Sequence, residues 1–277
     1  MDRSILHRSS NLFYRAEGGA PANHPEGPTL VLLHGFAEDG SVWDELVNDL
    51  RQKHPKSLVR ILIPDLPGSG RSSPLAGETS MEELAESIAA ILDAEKIAQA
   101  VLIGHSMGGY ITLAFAEKYP DRLKAFGLFH STAYPDSEEK KAARKKSIEF
   151  IRKNGSHPFI RQSSPHLFSE HFRLEYPEIV EAFISHTDNF NPDSLVYYSQ
   201  AMIERPDRTT VLEKSTHPVL FVIGGRDTVL PTESILRQTH MPGLSYIHIL
   251  QQAGHMGMLE DTGKAARVLD EFLQQIR

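Results

Sequence analysis

The fold is decided by one stretch of sequence, Val101-Leu102-Ile103-Gly104-His105-Ser106-Met107-Gly108-Gly109. Its apolar first half is typical of a buried strand that ends at Gly104, and a helical pattern follows from Met107 to Lys118. Ser106 therefore occupies the tight turn between strand and helix, with a glycine two residues to either side. Only glycine leaves room where a strand end packs against the first turn of a helix. The spacing predicts that Ser106 is held in a strained conformation, with its hydroxyl exposed beside the free N–H groups of the helix start.

Two other interpretations of this glycine-rich turn are weaker. The glycines also suit a plain strand-to-helix turn with an incidental serine, but the strand before and the helix after it argue against that. A phosphate-binding loop needs a lysine after its last glycine, whereas Tyr110 follows Gly109. The pattern G-x-S-x-G in this context is typical of a nucleophile elbow.

The composition limits the class of protein. The chain has 277 residues, 40% of them hydrophobic and 23% charged, which suits one large α/β domain or one domain with an insertion. The net charge of −7 argues against a nucleic-acid partner, because phosphate binding needs a basic surface. The absence of cysteine excludes disulfides, thiolate nucleophiles and cysteine-ligated metals.

No stretch has the pattern of a targeting or membrane segment. Residues 1–19 are polar and lack the apolar centre of a signal peptide. No apolar run approaches the roughly 20 residues that a membrane-spanning helix needs. We therefore expect a cytoplasmic protein without a membrane span, and the sequence leaves its oligomeric state open.

Strand-like and helical patterns alternate along the first half of the chain. A hairpin or edge strand is expected within residues 5–16, and helices are predicted from Ser41 as N-cap and from a capping box at Ser80 to Glu83. Strands that are apolar on both faces and alternate with helices indicate an α/β fold, with a mostly parallel sheet covered by helices. These buried strands are predicted at residues 29–33, 59–63, 101–104 and 125–129.

The alternation breaks after Ser131. Residues 134–214 contain helical stretches and no strand-like run, which predicts a helical cap inserted between two late strands, over the carboxyl edge of the sheet. Residues 1–133 and 215–277 then form the core. Its last part is predicted to contain strands at 219–223 and 246–250 and a final amphipathic helix.

Three residue types that nucleophilic catalysis needs each follow a predicted strand. They come in the order Ser106, Asp227, His255, and parallel strands bring their carboxyl ends to one edge of the sheet. A serine needs an imidazole to take its proton, and the imidazole needs a carboxylate to fix its tautomer. Taken singly, Asp227 is more typical of a turn-capping residue and His255 of a loop histidine. Together with the elbow they predict a catalytic triad.

The chain resembles the α/β-hydrolase fold superfamily over nearly its whole length. The loop from Asp65 to Ser72 is similar to the one that follows the fourth strand in that superfamily. The motifs that carry the resemblance are His34-Gly35-Phe36, Gly104-His105-Ser106-Met107-Gly108-Gly109, Gly225-Arg226-Asp227 and Gly254-His255.

The resemblance implies a role for each motif residue. Ser106 would be the nucleophile, His255 the general base and Asp227 its orienting acid. The backbone N–H groups of Phe36 and Met107 would form the oxyanion hole. The serine nucleophile argues against the dehalogenases and epoxide hydrolases of the superfamily, which use an aspartate at that position.

The expected activity is cofactor-free hydrolysis of a carboxylic ester through an acyl-enzyme intermediate. A capped, apolar site suits a small or medium apolar ester, and its predicted lining residues are Phe36, Met107, Met256 and Met258, together with aromatic residues of the cap. Hydrolysis of a carbon–carbon bond in a ring-fission diketone is an alternative on the same triad, and a perhydrolase-type activity is another. A small-molecule receptor that keeps the triad but turns over slowly is the alternative outside enzymes.

The orienting acid has one competitor. Some relatives place it after the strand that here ends at Phe129, where the first carboxylate is Asp136, seven residues on. Asp227 stands four residues past Ile223, on a turn from which it can reach His255, and is preferred.

Other polar residues near the motifs are interpreted as structural. The position of His130 near a strand end also suits a residue that lines the pocket, but a buried, hydrogen-bonded histidine is preferred. His166, Glu170 and His171 do not match a recognised metal-ligand spacing, so no metal is expected. The side chain of His34, like Asp65, Ser69 and Arg71, is interpreted as loop scaffolding.

Overall fold

A single eight-stranded sheet organises the computed structural model, which describes residues 1–18, 28–53, 60–75, 77 and 80–276. Across the sheet the strands lie in the order β1-β2-β4-β3-β5-β6-β7-β8, and β2 pairs antiparallel with both of its neighbours while the other pairs are parallel. This confirms the predicted mostly parallel sheet. The strands are β1 (Asp2–His7), β2 (Ser10–Glu17), β3 (Thr29–Leu33), β4 (Ile61–Pro64), β5 (Ala100–His105), β6 (Leu123–Phe129), β7 (Val219–Gly224) and β8 (Ser245–Leu250).

Helices cover both faces of the sheet and fill the long connection between β6 and β7. Among the described residues, none is long and apolar enough to cross a membrane. The helices are α1 (Asp44–Lys53), α2 (Met81–Ala94), α3 (Met107–Lys118), α4 (Glu138–Asn154), α5 (Ser156–Ser163), α6 (Glu170–Glu175), α7 (Pro177–Thr187), α8 (Pro192–Glu204), α9 (Thr209–Glu213), α10 (Thr232–Leu236), α11 (Gly257–Glu260) and α12 (Thr262–Gln275).

Two apolar layers hold the sheet between these helices. Because successive side chains of a strand point to opposite faces, β3 sends Val31 and Leu33 into the layer beneath α2 and α3, and Leu30 and Leu32 into the layer beneath α1 and α12. Complete burial of one such leucine contributes about 1.5–3 kcal/mol to folding. The central strands are therefore fixed in place from both sides, and their carboxyl ends form a rigid edge.

Several local predictions hold and others need correction. The predicted hairpin is confirmed as β1 and β2, and the Ser80 capping box is present at the start of α2. The predicted N-cap at Ser41 is wrong, because a 3₁₀ turn at Gly40–Trp43 precedes α1 and the Asp39 carboxylate accepts the Ser41 N–H at 2.9 Å. The strand predicted from residue 59 begins at Ile61, and residue 59 lies outside the described residues.

Among the described residues, the connection between β6 and β7 contains the helices α4 to α9 and no strand. Helix α4 is a single helix of 17 residues, in which a highly charged first half is followed by a part that buries Ile148 and Ile151. One apolar cluster joins this connection to the loop after β3: it contains Ala37 with Ile148, Ile151, Ile160, Leu195 and Val196, and Phe36 packs against it. The assignment of residues 134–214 as a separate cap stays a prediction.

Candidate active site

The turn between β5 and α3 holds Ser106 in a strained conformation. Its φ of 48° and ψ of −113° are rarely adopted by a residue with a side chain. A Cβ on Gly104 would stand 2.1 Å from the Gly108 carbonyl oxygen, and one on Gly108 would stand 2.5 Å from that of Leu33. Both glycines are therefore required for the close approach of helix and sheet, as the sequence pattern predicted.

Asp227 and His255 meet at the same edge of the sheet, after β7 and β8. The Nδ1 atom of His255 lies 2.7 Å from Oδ2 of Asp227, and both side chains are buried. The other carboxylate oxygen accepts the backbone N–H groups of Val229 and Leu230 at 2.8 and 2.9 Å. An ionised carboxylate can only accept hydrogen bonds, so Nδ1 of His255 carries a proton. In the neutral ring, Nε2 is then the nitrogen that can accept a proton.

Asp227 is held in its ionised form. Burial by itself would raise the pKa of this carboxyl, but the charge and hydrogen bond of His255, together with the adjacent His130, lower the pKa well below its ordinary range. A carboxylate that is ionised near neutral pH and bonded to Nδ1 stabilises a positive charge on His255.

The elbow is joined directly to the histidine loop. The residue before Ser106, His105, places its Nε2 atom 2.9 Å from the backbone carbonyl oxygen of His255. Its ring centre lies 5.0 Å from that of His255. The structure thus brings the elbow, Asp227 and His255 together at the carboxyl ends of β5, β7 and β8.

Asp136, the competing acid, has other partners. Its two oxygens lie 3.0 Å from the guanidinium of Arg205 and 2.6 Å from Nε of Arg144. Both carboxylate oxygens are thus engaged by arginines at the start of the helical connection.

The two predicted oxyanion donors lie on the elements expected of them. Met107 is the first residue of α3, and the N–H groups of a first helical turn have no acceptor within the helix. Phe36 lies in the turn after β3, and among the described residues its N–H has no hydrogen-bond acceptor. The Phe36 ring is partly buried and meets the ring of Phe159 edge-on, with 6.2 Å between centroids.

The methionines predicted to line the substrate pocket lie elsewhere. Met107, Met256 and Met258 have no exposed surface. Met256 and Met258 belong to the apolar layer beneath α12, because the chain turns down into the core directly after His255. Of the predicted lining residues only Phe36 keeps an exposed fraction, and Phe159, which the sequence did not single out, stands next to it.

His130 is buried, as predicted, but it is not hydrogen-bonded. Neither ring nitrogen has a hydrogen-bond partner among the described residues, and Nδ1 lies 3.6 Å from Oδ2 of Asp227. Burial lowers the pKa of His130 to about 4, so the ring is neutral near neutral pH.

Sequence reasoning missed Glu38. Its carboxylate is 2% exposed, and Oε2 lies 3.0 Å from Nδ1 of His105. The only signal was position: Glu38 follows closely on His34-Gly35-Phe36, and His105 precedes Ser106. Nothing in either motif pairs the two residues.

The sequence profile of the alpha/beta hydrolase fold matches residues 28–262. A pimeloyl-[acyl-carrier protein] methyl ester esterase of Neisseria meningitidis is 26% identical over 258 residues, which cover 89% of this chain and 94% of that protein. The dihydrolipoyllysine-residue acetyltransferase component of an acetoin cleaving system from Pseudomonas putida is 27% identical over 94% of this chain, which spans only 65% of that protein's length.

A solved structure has the same fold over the whole chain. A thermophilic esterase from Thermogutta terrifontis superposes with a TM-score of 0.89 and 27% identity, covering 100% of this chain and 99% of that one. The similarity therefore extends over the sheet, its helices and the helical connection.

Proposed function

The chain belongs to the alpha/beta hydrolase fold family, and we propose that it is a serine carboxylesterase with Ser106, His255 and Asp227 as its catalytic triad. The observation that carries the proposal is the 2.7 Å bond between His255 Nδ1 and an ionised, buried Asp227, at the edge of the sheet that also presents the strained Ser106 turn. Three strands supply the three residues in the order that the superfamily resemblance implies.

The reaction begins with activation of Ser106. The His255 Nε2 atom takes the hydroxyl proton as Ser106 Oγ attacks the ester carbonyl carbon, and Asp227 stabilises the resulting imidazolium. The carbonyl oxygen becomes an oxyanion, which the N–H groups of Phe36 and Met107 are placed to bind. Each such donor lowers the barrier by about 2.7–4 kcal/mol.

The two halves of the reaction are then symmetric. The tetrahedral intermediate collapses, the alcohol leaves with the proton from His255, and an ester of Ser106 remains. Water gives up a proton to His255 and attacks this acyl-enzyme, and a second collapse releases the acid and restores the Ser106 hydroxyl. No cofactor enters either half.

An apolar acyl group suits the surroundings of the site. Phe36, whose N–H is one of the predicted oxyanion donors, forms an aromatic pair with Phe159, and both rings pack against an apolar cluster of the helical connection. The esterase names of relatives in Neisseria and Thermogutta agree with ester hydrolysis. A small or medium apolar ester is the proposed substrate class.

Replacement of Ser106 tests the proposal. We expect Ser106→Ala to lose on the order of 10⁶ in kcat on p-nitrophenyl esters of increasing acyl length. A fluorophosphonate probe should label the parent protein and not the variant. If the Ser106→Ala protein kept the parental activity, Ser106 would not be the nucleophile and the proposal would be wrong.

The same panel separates the alternatives. An active carboxylesterase hydrolyses at least one acyl length rapidly. Turnover of a ring-fission diketone but of no ester would identify a carbon–carbon hydrolase. Turnover near zero on both classes, combined with a raised melting temperature in the presence of a ligand, would identify a receptor.

A further inference from the structure

A charged pair lies buried directly behind the proposed active site. Glu38 is 2% exposed and His105 is not exposed at all. Their contact joins the loop after β3 to the last residue of β5. Burial of a carboxylate costs free energy unless a cation and hydrogen bonds compensate for it. The groups that compensate for the burial of Glu38 therefore indicate what the pair does.

The hydrogen bonds of His105 define its protonation. Nδ1 faces the Glu38 carboxylate at 3.0 Å and Nε2 faces the His255 carbonyl oxygen at 2.9 Å. Both partners can only accept hydrogen bonds, so a ring that bonds to both must carry a proton on each nitrogen. Burial by itself would lower the pKa of His105, but the charge of Glu38 and these two bonds outweigh burial and raise it.

Glu38 holds a second loop with the same oxygen. Its Oε2 atom accepts the Gly35 N–H at 2.7 Å. Gly35 directly precedes Phe36, the proposed oxyanion donor. A Cβ on Gly35 would stand 2.9 Å from Oε1 of Glu38 and 3.0 Å from Nδ1 of His105, so the loop lies tightly against the pair.

We infer that the Glu38–His105 ion pair positions the proposed oxyanion loop, the serine elbow and the histidine loop relative to one another. This inference rests on the proposed function, since it concerns the placement of those catalytic groups. Both residues are positioning residues that act through Phe36, Ser106 and His255.

The charge on the pair is what allows all three bonds at once. With a neutral amide at position 38, His105 loses its counter-charge and its second proton. A singly protonated ring can donate to position 38 or to the His255 carbonyl, but not to both. If the amide turns its NH₂ toward the bare Nδ1, the Gly35 N–H loses its acceptor. One of the three loops is therefore released.

Other titratable groups face His105 from the neighbouring loops. His130 lies 6.1 Å away and His255 5.0 Å away between ring centres, and the Asp227 charge also contributes to the raised pKa of His105. His34 faces Glu38, and its Nε2 atom accepts the Leu66 N–H at 2.9 Å. Of these titratable side chains, only the Glu38 carboxylate forms a hydrogen bond with the His105 ring among the described residues; the contact with His255 is to its backbone carbonyl.

Glu38→Gln is the direct test, with kinetics on the best ester of the panel. We expect kcat to fall about 10- to 100-fold with little change in KM, because misplaced catalytic groups raise the barrier to the reaction rather than weaken binding. Glu95→Gln is the matched control: its carboxylate is 4% exposed and paired with Arg3, and Tyr14 donates to it. We expect parental kcat from that variant.

A pH series distinguishes positioning from general damage. In Glu38→Gln, acid returns the second proton to His105 and restores its two bonds. Without the Glu38 charge, burial lowers the pKa of His105 below its ordinary value of 6.5. The ratio of variant to parental kcat/KM should therefore rise as pH falls from 6.5 toward 5. A ratio independent of pH, or a kcat equal to the parental value, would overturn the inference.

A measurement on the parent protein covers the case in which Glu38→Gln does not fold. With ¹⁵N-labelled histidine, both ring nitrogens of His105 should show mainly the shifts of a protonated imidazole at pH 6.5, the ordinary pKa of histidine. A neutral His105 at that pH contradicts the ion pair. If Ser106→Ala lost its activity while Glu38→Gln kept the parental kcat, the positioning role would be rejected and the proposed function would stand.

Discussion

At the scale of single residues, Asp227 and Asp136 are both buried carboxylates near the carboxyl ends of strands, yet they have different partners. Asp227 contacts the His255 ring, whereas Asp136 contacts two arginines. Asp227→Asn keeps the shape but lets the imidazole take the wrong tautomer, which costs about 10⁴ in kcat in a well-studied serine protease. We expect a loss of at least about 10²-fold, measured as kcat on one saturating ester.

Asp136→Asn is the matched control for that substitution. It removes a buried carboxylate of the same type, and kcat should stay within a few-fold of the parental value even if the free energy of unfolding falls. The opposite ranking of the two variants would move the orienting acid to the loop after β6.

At the scale of secondary-structure elements, the site depends on the position of the first turn of α3, which follows Ser106. We expect Gly108→Ala to lower the free energy of unfolding by about 1–3 kcal/mol, because its Cβ would stand 2.5 Å from the Leu33 carbonyl oxygen. The helix start must then move away from β3, which shifts Ser106 and the Met107 N–H, and kcat should fall at least about 10-fold. Urea unfolding and ester kinetics measure the two effects.

The N-cap of α2 provides the comparison. Ser80→Ala removes the side-chain acceptor of the Glu83 N–H and should cost about 1 kcal/mol. Since α2 supplies no proposed catalytic group, the kcat of Ser80→Ala should equal that of the parent protein. If both variants lost activity in proportion to stability, the special role of the α3 start would be disproved.

At the scale of the whole molecule, the buried His130, whose pKa is lowered by burial, makes folding sensitive to acid. Its pKa falls from 6.5 to about 4 in the folded protein, so between these values the unfolded chain binds more protons. Stability is therefore lost as pH falls from 6.5 toward 4, by an amount on the order of 3 kcal/mol from this residue. His105, whose pKa is raised, contributes its full stability throughout that range.

His130→Asn isolates this contribution. Asparagine tolerates the positive φ of 47° at this position and does not titrate. The free energy of unfolding, measured by urea denaturation at pH 4.5 and 6.5, should differ less in the variant than in the parent. An equal pH dependence in both proteins would contradict the low pKa.

The sequence by itself determined the elements and their order. Strand β5, the Ser106 turn, helix α3 and the Ser80 capping box follow from apolar periodicity, glycine spacing and capping, which act between residues a few positions apart. The alternation of strands and helices was enough to predict a mostly parallel sheet, and with it the edge where Ser106, Asp227 and His255 lie.

Only the tertiary structure decided which side chains meet across loops. Glu38 and His105 are 67 residues apart, and their contact depends on the adjacent positions of β3 and β5 in the sheet. Met256 and Met258 are buried because the chain turns into the core after His255, which no local pattern reports. Hydrogen-bond partners and burial are set by packing between distant segments, so a sequence shows the groups available and the fold decides which of them are paired.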